Sequence, residues 1–135
     1  HELKTIEAAV RSGVSVEFND GMCRQLSGID GPFPQKPYAY AELSLPYGPN
    51  STKPARDEVI KRVDFKQIAL GTTEYFDAFL SVLCDTMEWP NRDHGKANAG
   101  PPFHDGVVSP GDVEAIREFN QYDTELWLYA KALCE

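Results

Sequence analysis

The sequence predicts a mainly α-helical protein with one short strand. Apolar residues recur at helical spacing through most of the chain, and several of these stretches begin at residues that commonly cap helices. Two segments, residues 29–54 and 89–108, are rich in proline and glycine and predict long irregular loops. We therefore expect a single domain over residues 1–135 that contains about five helices, the two loops and the strand.

The first two helices are expected before residue 29. Gly13 ends the first apolar stretch, and the second helix is predicted from Ser15, a plausible N-cap, to Ser27, with Gly28 after it. Residues 29–54 then hold six prolines and two glycines. That proline content is too high for a central strand or helix.

The middle of the chain predicts a helix, a strand and a second helix. The first of these helices follows Pro54, which suits a first helical position. Lys66–Leu70 is typical of a short strand, although no convincing partner strand exists in the chain. Thr72 or Thr73 can cap the next helix, which should run to about Met87. Its apolar residues occupy more than half of its circumference, so we expect it to be buried on several sides.

The last helix is predicted to run from Ser109 to Glu135. Ser109 would be its N-cap, Pro110 would occupy the first turn, and Asp112 would complete a capping box.

The apolar face of this last helix contains two polar residues, Asn120 and Asp123, one turn apart. Buried polar groups are costly unless they are paired. We interpret both residues as structural, tying the helix to a loop or to the end of the strand. Contact with a substrate is the alternative.

The composition is that of an acidic globular protein. Hydrophobic residues make up 41% of the chain and charged residues 25%, and the formal net charge is −8. Nucleic-acid binding is not expected, because it requires a basic surface. No stretch approaches the ~20 apolar residues of a membrane span.

Three segments together carry a family resemblance. Residues 19–28, NDGMCRQLSG, are similar to a helix that ends R-x-L-S-G, and residues 65–77, FKQIALGTTEYFD, to a strand, a G-x-T-E turn and an F-D helix. Residues 120–130 follow the pattern N-x-x-D-x-x-L-x-x-Y-A of a closing helix. In this order, the segments resemble the C-terminal half of the carbohydrate sulfotransferases, the heparan-sulfate 6-O type and its bacterial and algal relatives.

The resemblance implies the helical C-terminal half of an α/β P-loop-like sulfotransferase fold. Such enzymes transfer sulfate from 3′-phosphoadenosine 5′-phosphosulfate to a sugar hydroxyl, and a loop after an N-terminal strand cradles the phosphosulfate. This sequence has no such loop and no R-x-P-x-x-R segment. The chain alone is therefore not expected to catalyse sulfate transfer, and we assign no catalytic residue.

The resemblance also implies that the loop before the last helix folds over the nucleotide. Arg92, Lys96 and Asn98 in that loop are the candidate cofactor-binding residues, on the 3′-phosphate or adenine side. The alternative is a solvated loop with scattered charges.

Four residues are candidates for binding the sugar substrate. Arg24 could reach a phosphate or a sugar carboxylate, or it could pair with a nearby acid. Tyr38, Tyr40 and Trp89 could stack on sugar rings, or they could attach the loops to the core. Asn19, which begins the first segment of the resemblance, is assigned a structural role.

Histidine and cysteine residues do not predict a metal centre. His94 and His104 flank a Gly/Pro-rich loop without the three or four closely spaced ligands that zinc requires. With three cysteines, Cys23, Cys84 and Cys134, at least one is unpaired within the chain or bonded to another chain. The alternative to any disulfide is that the cysteines are free buried thiols.

A glycosylation sequon favours a secretory-pathway or extracellular protein. Asn50-Ser51-Thr52 lies in the first loop, where Asn50 would be a reachable acceptor. The chain starts at His1 without a signal-peptide pattern, which suggests a mature, cleaved or partial product.

Two functions follow from these observations. The first is a part of a sulfotransferase that needs a second chain carrying the N-terminal half and uses 3′-phosphoadenosine 5′-phosphosulfate. The second is a non-catalytic, lectin-like carbohydrate-binding protein that uses no cofactor. Pairing of Lys66–Leu70 across a homodimer would favour the second.

Overall fold

The computed structural model describes residues 5–29, 45–90, 95 and 108–135, and within them the regular secondary structure is helical. The α-helices are α1 (Ile6–Ser12), α2 (Gly21–Ser27), α3 (Lys53–Asp64), α4 (Phe76–Met87), α5 (Pro110–Phe119) and α6 (Gln121–Cys134). Short 3₁₀ turns occupy Val16–Phe18 and Thr73–Tyr75. The prediction of a mainly helical protein is confirmed. Among the described residues, no helix is both long and apolar enough to cross a membrane.

The helices pack in two groups. In the first, α1 lies against α5 and the contact buries Val10, Ala115 and Phe119. In the second, α2 packs on α3 and both contact α6. The second group buries the small residues Cys23 and Ala55 together with larger apolar side chains, namely Val59, Tyr122 and Leu126. Small side chains at the contact let the helix backbones approach closely.

The capping box at the start of α5 is confirmed. The Ser109 hydroxyl accepts from the Asp112 N–H at 3.1 Å, and the Asp112 carboxylate accepts from the Ser109 N–H at 2.9 Å. The same carboxylate also accepts from the Glu7 N–H in the first turn of α1, at 2.7 Å. Hydrogen bonds from the Ser109 and Glu7 backbones lower the pKa of Asp112. One side chain therefore caps two helices and joins them.

The predicted strand at Lys66–Leu70 is wrong. The Gln67 N–H donates to the Arg62 carbonyl at 2.8 Å and the Lys66 N–H to the Val63 carbonyl at 2.9 Å. With Lys66 at a left-handed φ of 58°, this pairing is a Schellman motif that closes α3. The first two N–H groups of the predicted strand are thus already bonded to the helix.

Two predicted helices are each interrupted. The helix expected over Ser15–Ser27 becomes a 3₁₀ turn followed by α2, and Asp20 between them has a left-handed φ of 49°. The helix expected over Ser109–Glu135 breaks at Asn120 into α5 and α6. Both interruptions occur where polar side chains take over the backbone hydrogen bonds.

The expectation that α4 is buried on several sides is also wrong. Phe76 is 42% exposed, Val82 65% and Met87 52%, and Cys84 is its one fully buried residue among those described. Phe79 packs over Gly71, where a Cβ atom would lie 2.5 Å from the ring. Helix α4 therefore leaves much of its apolar surface uncovered.

Candidate functional site

A buried polar cluster joins the starts of α2 and α6 to the loop before α3. Four of its six members are buried, and the other two, Asn120 and Asp123, are half-buried. The buried four are Asn19, Asp20, Arg24 and Thr52. Five of the six, all but Thr52, belong to the segments that carry the family resemblance, which makes this cluster the natural place to look for a function.

Two aspartates cap each other's helices. The Asp123 carboxylate accepts from the N–H groups of Met22 at 3.0 Å and Cys23 at 2.7 Å, in the first turn of α2. The Asp20 carboxylate accepts from the Asp123 N–H at 2.7 Å, in the first turn of α6. Helix N-termini have unsatisfied N–H groups and a partial positive charge, so each carboxylate stabilises the helix that it faces.

Asp20 is the most deeply buried carboxylate of the cluster. The Thr52 hydroxyl, which is fully buried, donates to its second oxygen. Burial raises the pKa of Asp20, while the hydrogen bonds from Thr52 and Asp123 act in the opposite direction. The net direction is upward, so the ionised form of Asp20 is less favoured in the folded protein than in water.

Asn120 fixes the break between α5 and α6. Its side-chain oxygen accepts from the Asp20 N–H at 3.1 Å. Its side-chain nitrogen donates to the carbonyls of Phe18 at 3.1 Å and Ile116 at 2.9 Å. Asn120 and Asp123 thus tie α6 to the start of α2, whereas the sequence pointed to a loop or to the strand end.

Asn19 connects three parts of the backbone through one amide group. Its nitrogen donates to the carbonyls of Gly48 at 3.1 Å and Phe119 at 2.9 Å, and its oxygen accepts from the Gly48 N–H at 3.0 Å. The side chain therefore pairs with Gly48 as a neighbouring peptide group would.

Arg24 lies inside the protein and is 2% exposed. Its guanidinium donates to the backbone and side-chain oxygens of Asn19, each at 3.0 Å, and to the carbonyls of Leu45 and Pro46. These bonds hold the loop before α3 against α2. An arginine is suited to this role because its planar group presents five donors at fixed angles.

The chemistry of the cluster is structural. Its acidic groups accept hydrogen bonds from backbone N–H groups and a hydroxyl, and its cation donates to amide and carbonyl oxygens. Asp20 and Arg24 are too deeply buried for a substrate to exchange a proton with the carboxyl group or to pair with the guanidinium. Asn120 and Asp123 could be identified from sequence because they are polar residues on an apolar helix face. No comparable pattern in the sequence marks Asp20 or Thr52.

Of the remaining predicted site residues, two lie in the part of the chain that the structure describes and the others do not. Trp89 follows the end of α4 and is 49% exposed, and Asn50 is exposed in the loop before α3. The following lie outside the described residues: Tyr38, Tyr40, Arg92, Lys96, Asn98, His94 and His104.

The three cysteines are free thiols. Cys23 and Cys84 are buried, and Cys134 is half-buried at the end of α6. Burial and the neighbouring Asp123 carboxylate strongly raise the pKa of Cys23, which keeps it protonated and unreactive. Within the described ranges, no three metal-ligating side chains come together.

An apolar groove lies between α4 and the C-terminal end of α6. Its volume is about 240 Å³, and it opens beside Val82 and Leu133, which are more than half exposed. The other lining residues are mostly apolar: Leu70, Tyr75, Ala78, Phe79 and Cys134. We call the exposed apolar residues Phe76, Val82 and Met87, together with this groove, the α4 surface. Exposed apolar surfaces of this kind often bind a partner.

Comparisons of the chain with known protein families, with curated proteins and with solved structures found no match.

Proposed function

We propose that this chain is the helical part of an enzyme that transfers sulfate from 3′-phosphoadenosine 5′-phosphosulfate to a carbohydrate hydroxyl. The observation that supports the proposal most is the polar cluster. Arg24, Asn120 and Asp123 were singled out by their resemblance to sulfotransferase segments, and they belong to one hydrogen-bonded unit. Segments separated by about a hundred positions thus meet through the residues that define the resemblance.

The α4 surface supports the need for a partner segment. It begins at the end of the second segment of the resemblance, residues 65–77, although residues 66–70 of that segment form no strand here. An apolar surface beside that segment is the expected contact for the half of the enzyme that carries the donor-binding loop. We propose that half as the occupant of the α4 surface, and a second copy of this chain is the competing outcome.

The donor would be held chiefly by the partner's loop. In this chain, Arg92, Lys96 and Asn98 remain the proposed contacts to the 3′-phosphate or the adenine. A chain with a net charge of −8 repels a polyanionic nucleotide at long range, so such local cations would be needed. Trp89, Tyr38 and Tyr40 remain the proposed contacts to the acceptor sugar, while Arg24 serves the polar cluster.

A lectin-like, non-catalytic role is the second candidate. The specific observation in its favour is the exposed indole of Trp89, since exposed aromatic rings stack on sugars. In this role the protein binds neutral glycans without a nucleotide, and its acidic charge is no obstacle.

Native mass spectrometry of the unreduced protein, purified from its source, is the first test. A second, different chain whose sequence contains the phosphosulfate-binding loop would support the sulfotransferase proposal. A monomer or homodimer would favour the lectin-like role. Titration with adenosine 3′,5′-bisphosphate and a broad glycan array complete the test. If the protein binds neither the nucleotide nor any glycan on the array, both candidates are refuted.

A further inference from the structure

The two essential residues of the glycosylation sequon have opposite environments in the folded protein. Asn50 is exposed and has a left-handed φ of 61°, a conformation that asparagine tolerates better than most residues. Thr52, two residues later, is fully buried and donates its hydroxyl to the Asp20 carboxylate. Ser51 between them donates to the Gly48 carbonyl at 2.7 Å, which holds the tripeptide in a turn.

N-glycosylation requires both ends of this tripeptide. The side-chain nitrogen of the asparagine attacks C1 of an oligosaccharide carried on a polyprenyl diphosphate. A C–N bond forms, the C–O bond to the diphosphate breaks, the amide loses a proton and the lipid diphosphate leaves. The transferring enzyme also recognises the hydroxyl at the third position, as the sequon N-x-S/T expresses. In the folded chain that hydroxyl is closed off by Asp20.

We propose that Asn50 is an N-glycosylation site that is modified only before the polar cluster forms, and that folding then closes the sequon. This inference rests on the secretory-pathway location that the sequence favours and is independent of sulfate transfer.

During synthesis, the sequon is made before the residues of α6 that complete the polar cluster. Asp20, the partner of Thr52, is itself held by the backbone N–H of Asp123 and by Asn120, both far later in the sequence. Until α6 has been made, the cluster lacks the hydrogen bonds that Asn120 and Asp123 contribute, so Asp20 is not yet held in place against Thr52. After folding, the glycan projects from an exposed side chain and leaves the cluster intact.

Access to the sequon is tested with purified, unglycosylated full-length chain. Folded and denatured samples are offered to solubilised oligosaccharyltransferase with a polyprenyl-diphosphate oligosaccharide. We expect the denatured chain to be modified roughly ten-fold faster or more, because the folded chain is an acceptor only in its locally opened fraction. Equal rates for the two samples would overturn the inference.

Use of the site during synthesis is tested by translation into microsomes behind a cleavable signal sequence. The wild-type chain should gain mass that N-glycosidase removes, and Asn50→Asp, which tolerates the same backbone conformation, should not. Ser51→Ala serves as the matched control and should be modified as the wild type is. A second sequon appended to the chain reports whether the chain has entered the microsomes and met the transferase. If the signal is removed and this control sequon is glycosylated but Asn50 is not, the proposal is contradicted.

Discussion

Replacing Asp123 by alanine tests whether the crossed caps hold the helices together. The substitution removes the acceptor of two N–H groups at the start of α2, those of Met22 at 3.0 Å and Cys23 at 2.7 Å. The Met22 N–H lies at the surface, where water can replace the carboxylate, but the Cys23 N–H is partly buried. Leaving a buried donor unsatisfied costs about 1–3 kcal/mol, and losing the charge at a helix N-terminus costs about 0.5–1 kcal/mol.

We therefore expect Asp123→Ala to lower the free energy of unfolding by about 3 kcal/mol. For a chain of this size that corresponds to a fall in Tm of roughly 10 °C. Urea unfolding at neutral pH, followed by circular dichroism, measures the free energy directly. Asp123→Asn retains one acceptor oxygen and should lose about 1–2 kcal/mol.

The matched control is Asp57→Ala in α3. Asp57 pairs with Arg56 and Lys53 on the surface, with half of its side chain exposed, and exposed pairs contribute less than about 1 kcal/mol. If Asp123→Ala costs no more than Asp57→Ala, or if Asp123→Asn is as damaging as Asp123→Ala, the account of the crossed caps is refuted.

Three further predictions concern the buried acid, the glycine contact and the α4 surface. The pKa of Asp20 is raised in the folded protein, so raising the pH above about 3.8, where this carboxyl ionises in the unfolded chain, destabilises the folded state. The free energy of unfolding of Asp20→Asn, relative to that of the wild type, should therefore rise between about pH 3.5 and 7. A difference between the two proteins that does not change with pH contradicts this prediction. Gly71→Ala should cost about 1–3 kcal/mol by overpacking against Phe79, and Phe79→Leu should relieve it in a double-mutant cycle. Val82→Lys should change stability by less than about 0.5 kcal/mol yet abolish the complex with the partner half that we expect in native mass spectrometry. A complex that is unchanged by the substitution would place the partner elsewhere.

The start of α5 shows what could be predicted from sequence. Ser109 and Asp112 are three residues apart, and their mutual hydrogen bonds form whenever that turn becomes helical. Pro54 likewise lies in the first turn of α3, where its missing N–H has no cost. Such features depend on neighbours within one turn of the chain, so their residues identify them directly.

The end of α3 shows where the same reasoning fails. Lys66–Leu70, with three apolar residues before Gly71, was predicted to be a short strand, but Lys66 adopts the left-handed conformation that usually belongs to glycine. Ile68 and Leu70 instead pack on the core formed by α2, α3 and α6. The packing of these two side chains outweighs the local preference, and the sequence has no sign of that outcome.

The polar cluster was half predictable. Asn120 and Asp123 were noticed because polar residues on an apolar helix face need partners. Asp20 looked like an ordinary turn residue before Gly21, and Thr52 like the end of a sequon. Their importance arises only from contact with residues 103 and 32 positions away in sequence.

The helical character, the caps formed within single turns and the acidic net charge follow from the amino-acid sequence without knowledge of the fold. Tertiary structure alone decided where the helices break, because Asp20 and Asp123 satisfy each other's helix ends only after the chain has brought α2 and α6 together. It also decided that α4 keeps an apolar surface in contact with water. Hydrophobic periodicity indicates which side chains avoid water, but the partner that covers them depends on how the rest of the chain folds.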